Sequence, residues 1–343
     1  MAEYIEREIT EQVLLCDEKG ELNRGALGWS RVPLHTCNLS GHWPRKKKWN
    51  FWMILNEDFA FSATVANIDY LGVGSVSIHN FKTGKRIDGA SVSPRGLGVN
   101  MPPKVEENVR FKDAVIKVEI AHTPTEIRIT SSCPSVQGRK VDADITLEKA
   151  PGHETLNVVI PWSNDEFHFT SKQNTLPARG GFTLDGETFE FKPETSFGVL
   201  DFGRGMWPKT IIWNWGSFNH RQDGDLIGIN IGAKWTDGTG ANENGICLNG
   251  KLYKISEDVV FSYNKNDFWE PWTIKTSVSN KLDLKLTPTY ENAGGTSSGG
   301  DSSKVVAANH QMFGHYSGTL RAGDRTIHLK NAYGWAEEHI GNW

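Results

Sequence analysis

From Trp49 onward the chain alternates apolar and polar residues with a period of two, and this pattern restricts the fold more than any other feature. FWMILN (51–56), FAFSATVAN (59–67), GVGSVSIHNF (72–81), AVIKVEIAH (114–122), EIRITSS (126–132), VDADITLEK (141–149) and TLNVVIPW (155–162) alternate or are rich in β-branched residues. The same style returns in LIGINIGAKW (226–235), GICLNGKLYKI (245–255), VVFSYN (259–264), PWTIKTSV (271–278), LDLKLTPTYE (282–291), FGHYSGTLRA (313–322) and TIHLKNAYGWAEE (326–338). Asp185-Gly186 and Asn249-Gly250 are hairpin turns in such a pattern. Helical periodicity is scarce: 206–217 (MWPKTIIWNWGS) is the best short-helix candidate, with Pro208 suited to a first turn. The Gly/Ser-rich 292–304 predicts a mobile loop. Two sets of short antiparallel strands, each large enough to close, predict an all-β chain of two barrels or sandwiches. The border is expected between Pro193 and Arg204, giving 1–195, with an extended N-terminal segment, and 196–343.

A net charge of −4 over 343 residues supplies no basic field, so nucleic acid and anionic membranes are not expected partners. Small molecules or proteins remain, and assembly into a homo-oligomer stays open. The opening MAEYIEREIT carries acids and no apolar core, which reads as neither signal peptide nor membrane anchor and implies a cytoplasmic location with no integral membrane segment. Cys16, Cys37, Cys133 and Cys247 are scattered without a C-x-x-C pair, suiting free thiols. Asn38-Leu39-Ser40 matches the glycosylation triplet by chance. Thirteen tryptophans imply wide cores or a cavity for an apolar or planar ligand.

KWTDGTGANENG (234–245) invites a calcium or phosphate reading and supports neither. Counted from Asp237, the third, fifth and sixth residues are Thr239, Ala241 and Asn242, where a calcium loop needs ligands and then glycine. A phosphate loop ends in Gly-Lys-Ser/Thr before a helix, whereas Asn244-Gly245 leads into a strand. What remains is a wide turn that sets Lys234, Trp235, Asp237, Glu243 and Asn244 near a barrel rim, as a solvated loop or as part of a site.

Asp201 sits in an apolar strand end, where desolvation favours the protonated acid. Arg204, three residues on, opposes that, and a structural Asp201–Arg204 pair is the alternative. Trp213 and Trp215 share one side if the chain is extended, with Asn214 opposite, forming a stacking wall or core filler. His310, Gln311 and Tyr316, and then Trp335, Glu337, Glu338 and His339, lie in two polar-aromatic runs that lack metal-ligand spacing; no metal and no cofactor is expected. Arg45-Lys46-Lys47-Lys48, between Trp43 and Trp49, reads as an anion contact or a solvated edge.

In this order EREITEQVLLCDEKGELNRGALGWSRVPLHTCNLSG, RKKKWNFW, NIDYLG, GVLDFGRGMWP, WNWGS, KWTDGTGANENG, PWTIKT, HQMFGHYSG and GWAEEH resemble a bacterial family known as a domain of unknown function. That family is similar in layout to the tandem-lipocalin group of hydroxyneurosporene synthase (carotenoid 1,2-hydratase), the AttH proteins and cyclases of the Diels–Alderase kind. GGFTLDGETFEF and GVLDFGRG carry this likeness. The resemblance implies two tandem lipocalin-like antiparallel barrels and gives Asp201 the role of protonating a polyene double bond. Gly203-Arg204-Gly205 departs from the group's tryptophan-glycine after the Asp.

Three functions follow. The first is a cofactor-free hydratase, isomerase or cyclase for an unsaturated apolar molecule held between or within the barrels. Asp201 would be its acid, with Asp237 and Glu243 as further catalytic candidates and Arg204 as a substrate-binding one, and Trp207, Trp213, Trp215 and Trp235 would line its aromatic wall. The second is a carrier of a lipid or pigment. The third is a carbohydrate-binding protein or carbohydrate-active enzyme using Asp237/Glu243 or Glu337/Glu338, although neighbours on a strand face opposite ways.

Overall fold

The computed structural model describes residues 6–297 and 305–342. Apart from a 3-10 turn at Arg24–Ala26, its elements are β-strands. The chain forms two compact units, Glu8–Trp207 and Pro208–Trp343, the second also taking the N-terminal residues up to Arg7.

In the first unit, strands run in the order Lys85–Pro94, Leu71–Asn80, Phe59–Asn67, Lys46–Leu55, Phe197–Met206, Phe167–Leu184, Arg139–Glu148, Glu126–Val136, Lys117–His122, Val109–Lys112 and Val99–Asn100. The sheet curls until elements far apart in this order meet. A methyl group on Gly74 would lie 2.2 Å from Phe111 Cδ1, and one on Gly89 would lie 2.6 Å from Val136 Cγ2. Glycine is required there because aromatic and β-branched side chains from the far strands fill the space. The enclosed core includes Phe61, Phe111, Phe169, Phe182 and Phe202.

The second unit orders Lys251–Lys254, Gly245–Leu248, Asp225–Ala233, Thr210–Gln222, Arg325–Asn342, Val305–Ala322, Leu282–Ser297, Trp272–Thr276 and Val259–Ser262 around Phe218, Ile229, Trp272, Met312 and Tyr316.

Four expectations change. The short-helix candidate 206–217 is extended, because Thr210–Gln222 pairs on both sides. The loop expected at 292–304 is strand through Ser297, paired with Val305–Ala322; residues 298–304 lie outside those described. The border expected after 195 falls after Trp207, since Phe197–Met206 pairs on both edges within the first unit, and the start of the chain belongs with the second. The basic run is no solvated edge: Lys46–Leu55 is paired on both sides, Lys46 Nζ meets Asp69 Oδ2 at 3.1 Å, and the Lys47 ammonium lies 4.7 Å from the Tyr70 ring centre. All four cysteines are free and buried. No helix among the described residues is long and apolar enough to cross a membrane.

Candidate functional site

Alternation along Phe197–Met206 sends Leu200, Phe202 and Met206 into the first core, so Asp201 lies on the opposite face. Its cross-strand neighbour is Lys172, and Lys172 Nζ meets Asp201 Oδ1 at 2.9 Å, with the lysine side chain 5% and the aspartate 19% exposed. Trp49 Nε1 donates to Asp201 Oδ2 at 3.1 Å, and Thr170 Oγ1 donates to Oδ1 at 3.4 Å. The expected Asp201–Arg204 pair does not form. Residues three apart on a strand point to opposite faces, and the Arg204 guanidinium is turned into the first barrel.

His168 stacks on Trp49 at 4.7 Å, and Trp207 Nε1 donates to His168 Nδ1 at 2.8 Å. An indole N–H can only donate, so Nδ1 is the acceptor and the neutral ring carries its proton on Nε2. Burial holds His168 well below its ordinary value, and the charges of Lys172 and Arg204 add to this. Gly203 admits the stack: a methyl group there would lie 2.2 Å from Trp49 Cε2 and 2.7 Å from His168 Cε1.

In the second unit, Trp213 and Trp215 share one face, as the extended reading requires. Trp213 Nε1 and Gln311 Nε2 both donate to the Glu337 carboxylate, at 2.8 and 2.9 Å, while Trp215 Nε1 donates to Asn230 Oδ1 at 2.8 Å and its ring meets Trp335 edge-on at 5.0 Å. The other face carries Asn214 and Glu338. There Lys234 Nζ donates to Tyr263 Oη and to Glu338 Oε2, each at 2.6 Å, Asn214 Nδ2 donates to Tyr263 Oη at 3.1 Å, and Tyr263 donates to Glu338. Burial, then Glu338, push the Tyr263 phenol up, so the proton stays on tyrosine. Burial alone would raise Glu338, but the hydrogen bonds from Lys234 and Tyr263 hold it below its ordinary value. Beside them, His310 Nδ1 and Glu291 Oε1 are 2.8 Å apart, and Phe268 stacks on His310 at 4.0 Å. Tyr316 is fully buried and donates to the Trp335 carbonyl at 2.7 Å.

The turn at 234–245 divides its residues. Asp237 is exposed and accepts from the Lys234 amide at 2.9 Å. Glu243 is buried and accepts from Trp235 Nε1 at 3.1 Å. Asn244 is spent on the backbone, accepting from the Gly232 amide at 2.7 Å and donating to the Glu257 carbonyl at 3.1 Å. Under this turn Glu6 is anchored. Glu6 pairs with Lys254, at 2% and 4% side-chain exposure, and accepts from the Asn242 amide at 2.9 Å. Removing one member of a buried pair strands the other charge. Glu6→Gln is expected to lower the stability of the second unit by about 3–5 kcal/mol, checked by urea unfolding followed by circular dichroism.

No group of three or more His, Cys, Asp or Glu among the described residues is placed to hold a metal. Sequence reasoning missed Lys172, His168, Tyr263 and the role of Trp49. Lys172 and His168 lie in FHFTSKQNT (167–175), whose polar run hides a strand that alternates only at its start.

The family model described as Domain of unknown function (DUF2804) matches residues 6–343. The chain belongs to that family. No curated protein matches it in sequence. Among solved structures, kievitone hydratase from Nectria haematococca is 16% identical with a TM-score of 0.52, covering 87% of this chain and 89% of that chain. CghA with Sch210972 is 12% identical with a TM-score of 0.52, covering 87% and 89%. At such identities the likeness shows the fold, two lipocalin-like antiparallel units in tandem, in agreement with the expected architecture.

Proposed function

We propose, with membership of this family as the premise, that the chain is a cofactor-independent enzyme that moves a proton on an unsaturated, largely apolar small molecule, as a hydratase, isomerase or cyclase. The observation that carries this reading is the Asp201–Lys172 pair set among Trp49, His168 and Trp207. In the proposed reaction Lys172 passes its proton across the 2.9 Å contact to Asp201, which delivers it to one carbon of an electron-rich double bond. The π faces of Trp49 and Trp207 stabilise the resulting carbocation. Water then adds to the cationic carbon and returns a proton to the pair, giving hydration. Loss of a neighbouring proton gives isomerisation, and attack by a second double bond gives ring closure. That kievitone hydratase shares the fold supports the class of reaction, not the substrate.

The carbohydrate reading loses both its carboxylate pairs. Asp237 is exposed while Glu243 is buried, and Glu337 and Glu338 point to opposite faces of their strand.

The test is to incubate the purified protein with polyenes and other unsaturated apolar compounds and to follow mass and retention. A product heavier by one water, or an isomer of unchanged mass, is the expected result. Tight binding of these compounds, with quenching of tryptophan fluorescence but no product, would replace the enzyme by a carrier.

A further inference from the structure

Behind Asp201, the inward face of the same sheet carries a polar cluster that the proposed chemistry does not use. Across Phe167–Leu184, Phe197–Met206 and Lys46–Leu55, the register sets Gln173, Leu200 and Trp52 in one row, Ser171, Phe202 and Asn50 in the next, and Phe169, Arg204 and Lys48 in the third. Rows two residues apart are about 7 Å apart and neighbouring strands about 5 Å, so Asn50 in the middle row lies between Trp52 and Arg204, whose rows are about 14 Å apart. Arg204, Asn50 and Trp52 are fully buried.

The hydrogen bonding of this patch is incomplete in one sense only around the guanidinium. Arg204 Nη1 donates to the Trp49 and Gly203 carbonyls at 2.7 and 2.8 Å, Nη2 donates to Asn50 Oδ1 at 2.8 Å, and the charge lies 3.8 Å from the Phe202 ring centre. Arg204 Nε, Asn50 Nδ2 and Trp52 Nε1 are buried donors without a partner. On the flanking strand, Gln173 Nε2 and Oε1 and Ser171 Oγ are also unpartnered.

No carboxylate among the described residues pairs with Arg204. Lys48, its cross-strand neighbour, adds a second cation, and Asp69, the acid that acts on Lys48, is engaged by Lys46. Burial presses the guanidinium down to about 9, with Cys37 opposing. A buried cation with spare donors and no counter-charge is costly unless an acceptor completes it. A water molecule can accept from only two of the three unpartnered donors, whereas an anion can accept from all of them.

We propose that the interior of the first barrel binds a monoanion on Arg204, Asn50 and Trp52, either the carboxylate of an apolar acid or a free inorganic anion. The site stands on the opposite face of the strand from Asp201, so it does not depend on the proton chemistry proposed above.

The experiment measures binding calorimetrically, and the unfolding midpoint, for the full chain in anion-poor buffer titrated with sodium laurate, acetate, chloride or nitrate. Binding of laurate alone identifies an apolar acid; binding of acetate and the inorganic ions identifies a free anion. In either case the midpoint should climb with ligand concentration, by several degrees at about 100 times Kd. Arg204→Met should abolish both signals. Asn50→Asp, which places a carboxylate where Oδ1 already meets the guanidinium, should raise the ligand-free midpoint and weaken anion binding at least tenfold, so the test survives if the arginine variant does not fold. Asp201→Asn should leave anion binding unchanged. The proposal is overturned if no anion binds or shifts the midpoint, or if Asn50→Asp responds like the wild type.

Discussion

Replacing Asp201 by asparagine is expected to reduce turnover by about 10²–10⁴-fold, the range a positioned proton donor contributes, with little change in KM. The amide keeps the shape and can still accept from Trp49 Nε1, but it carries no transferable proton. The substitution also leaves Lys172, only 5% exposed, without its counter-ion, so loss of stability could imitate loss of chemistry. The double variant Asp201→Asn/Lys172→Met separates the two, since replacing a buried pair by uncharged groups is often neutral for stability. It should fold, bind ligand and remain inactive, whereas Asp201→Glu should recover part of the rate. A folded double variant with wild-type turnover would remove Asp201 from the chemistry and leave the pair a structural one.

Acid is expected to destabilise this protein sharply between pH 6.5 and about 4. Burial holds His79, His122 and His339 down to about 4 from an ordinary 6.5, and it lowers His35, His153 and His168 as well. In that window the unfolded chain takes up protons that the folded chain refuses. The stabilisation is therefore complete above pH 6.5 and is lost as pH falls through the window. Each fully buried histidine contributes up to about 1.4 kcal/mol per pH unit. His79, 1% exposed, should approach that limit, and the less buried His122 and His339 should contribute less because solvent screens them. Urea midpoints at pH 7, 6 and 5 measure the slope, and His79→Gln should remove one histidine's share. Asp113, Asp142 and Asp144 are lowered from 3.8 and act only below the window, so they cannot produce this slope. A midpoint constant from pH 7 to 5 would show that these histidines titrate alike in both states.

How much of this was legible depended on distance along the chain. The two indoles of WNWGS on one face, and Glu337 opposed to Glu338, follow from strand alternation and appear as expected. The Asp201–Arg204 pair fails by the same rule, since residues three apart on a strand face opposite ways. Lys172 and His168 were invisible because their strand reads as polar, its residues being buried on both faces rather than on one. The helix expected at Pro208 was overridden by pairing on both edges of the following strand.

By itself the sequence determined that this chain is built of β-strands in two sets and which residues of an alternating strand share a face, since both follow from a period of two that any extended backbone obeys. Only the tertiary structure decided that Asp201 meets Lys172, that Tyr263 joins Lys234 to Glu338, and that Arg204 is buried with no carboxylate partner among the described residues. Cross-strand register joins residues tens to more than a hundred positions apart, and it is fixed by how whole sheets curl and pack rather than by the local pattern of any one strand.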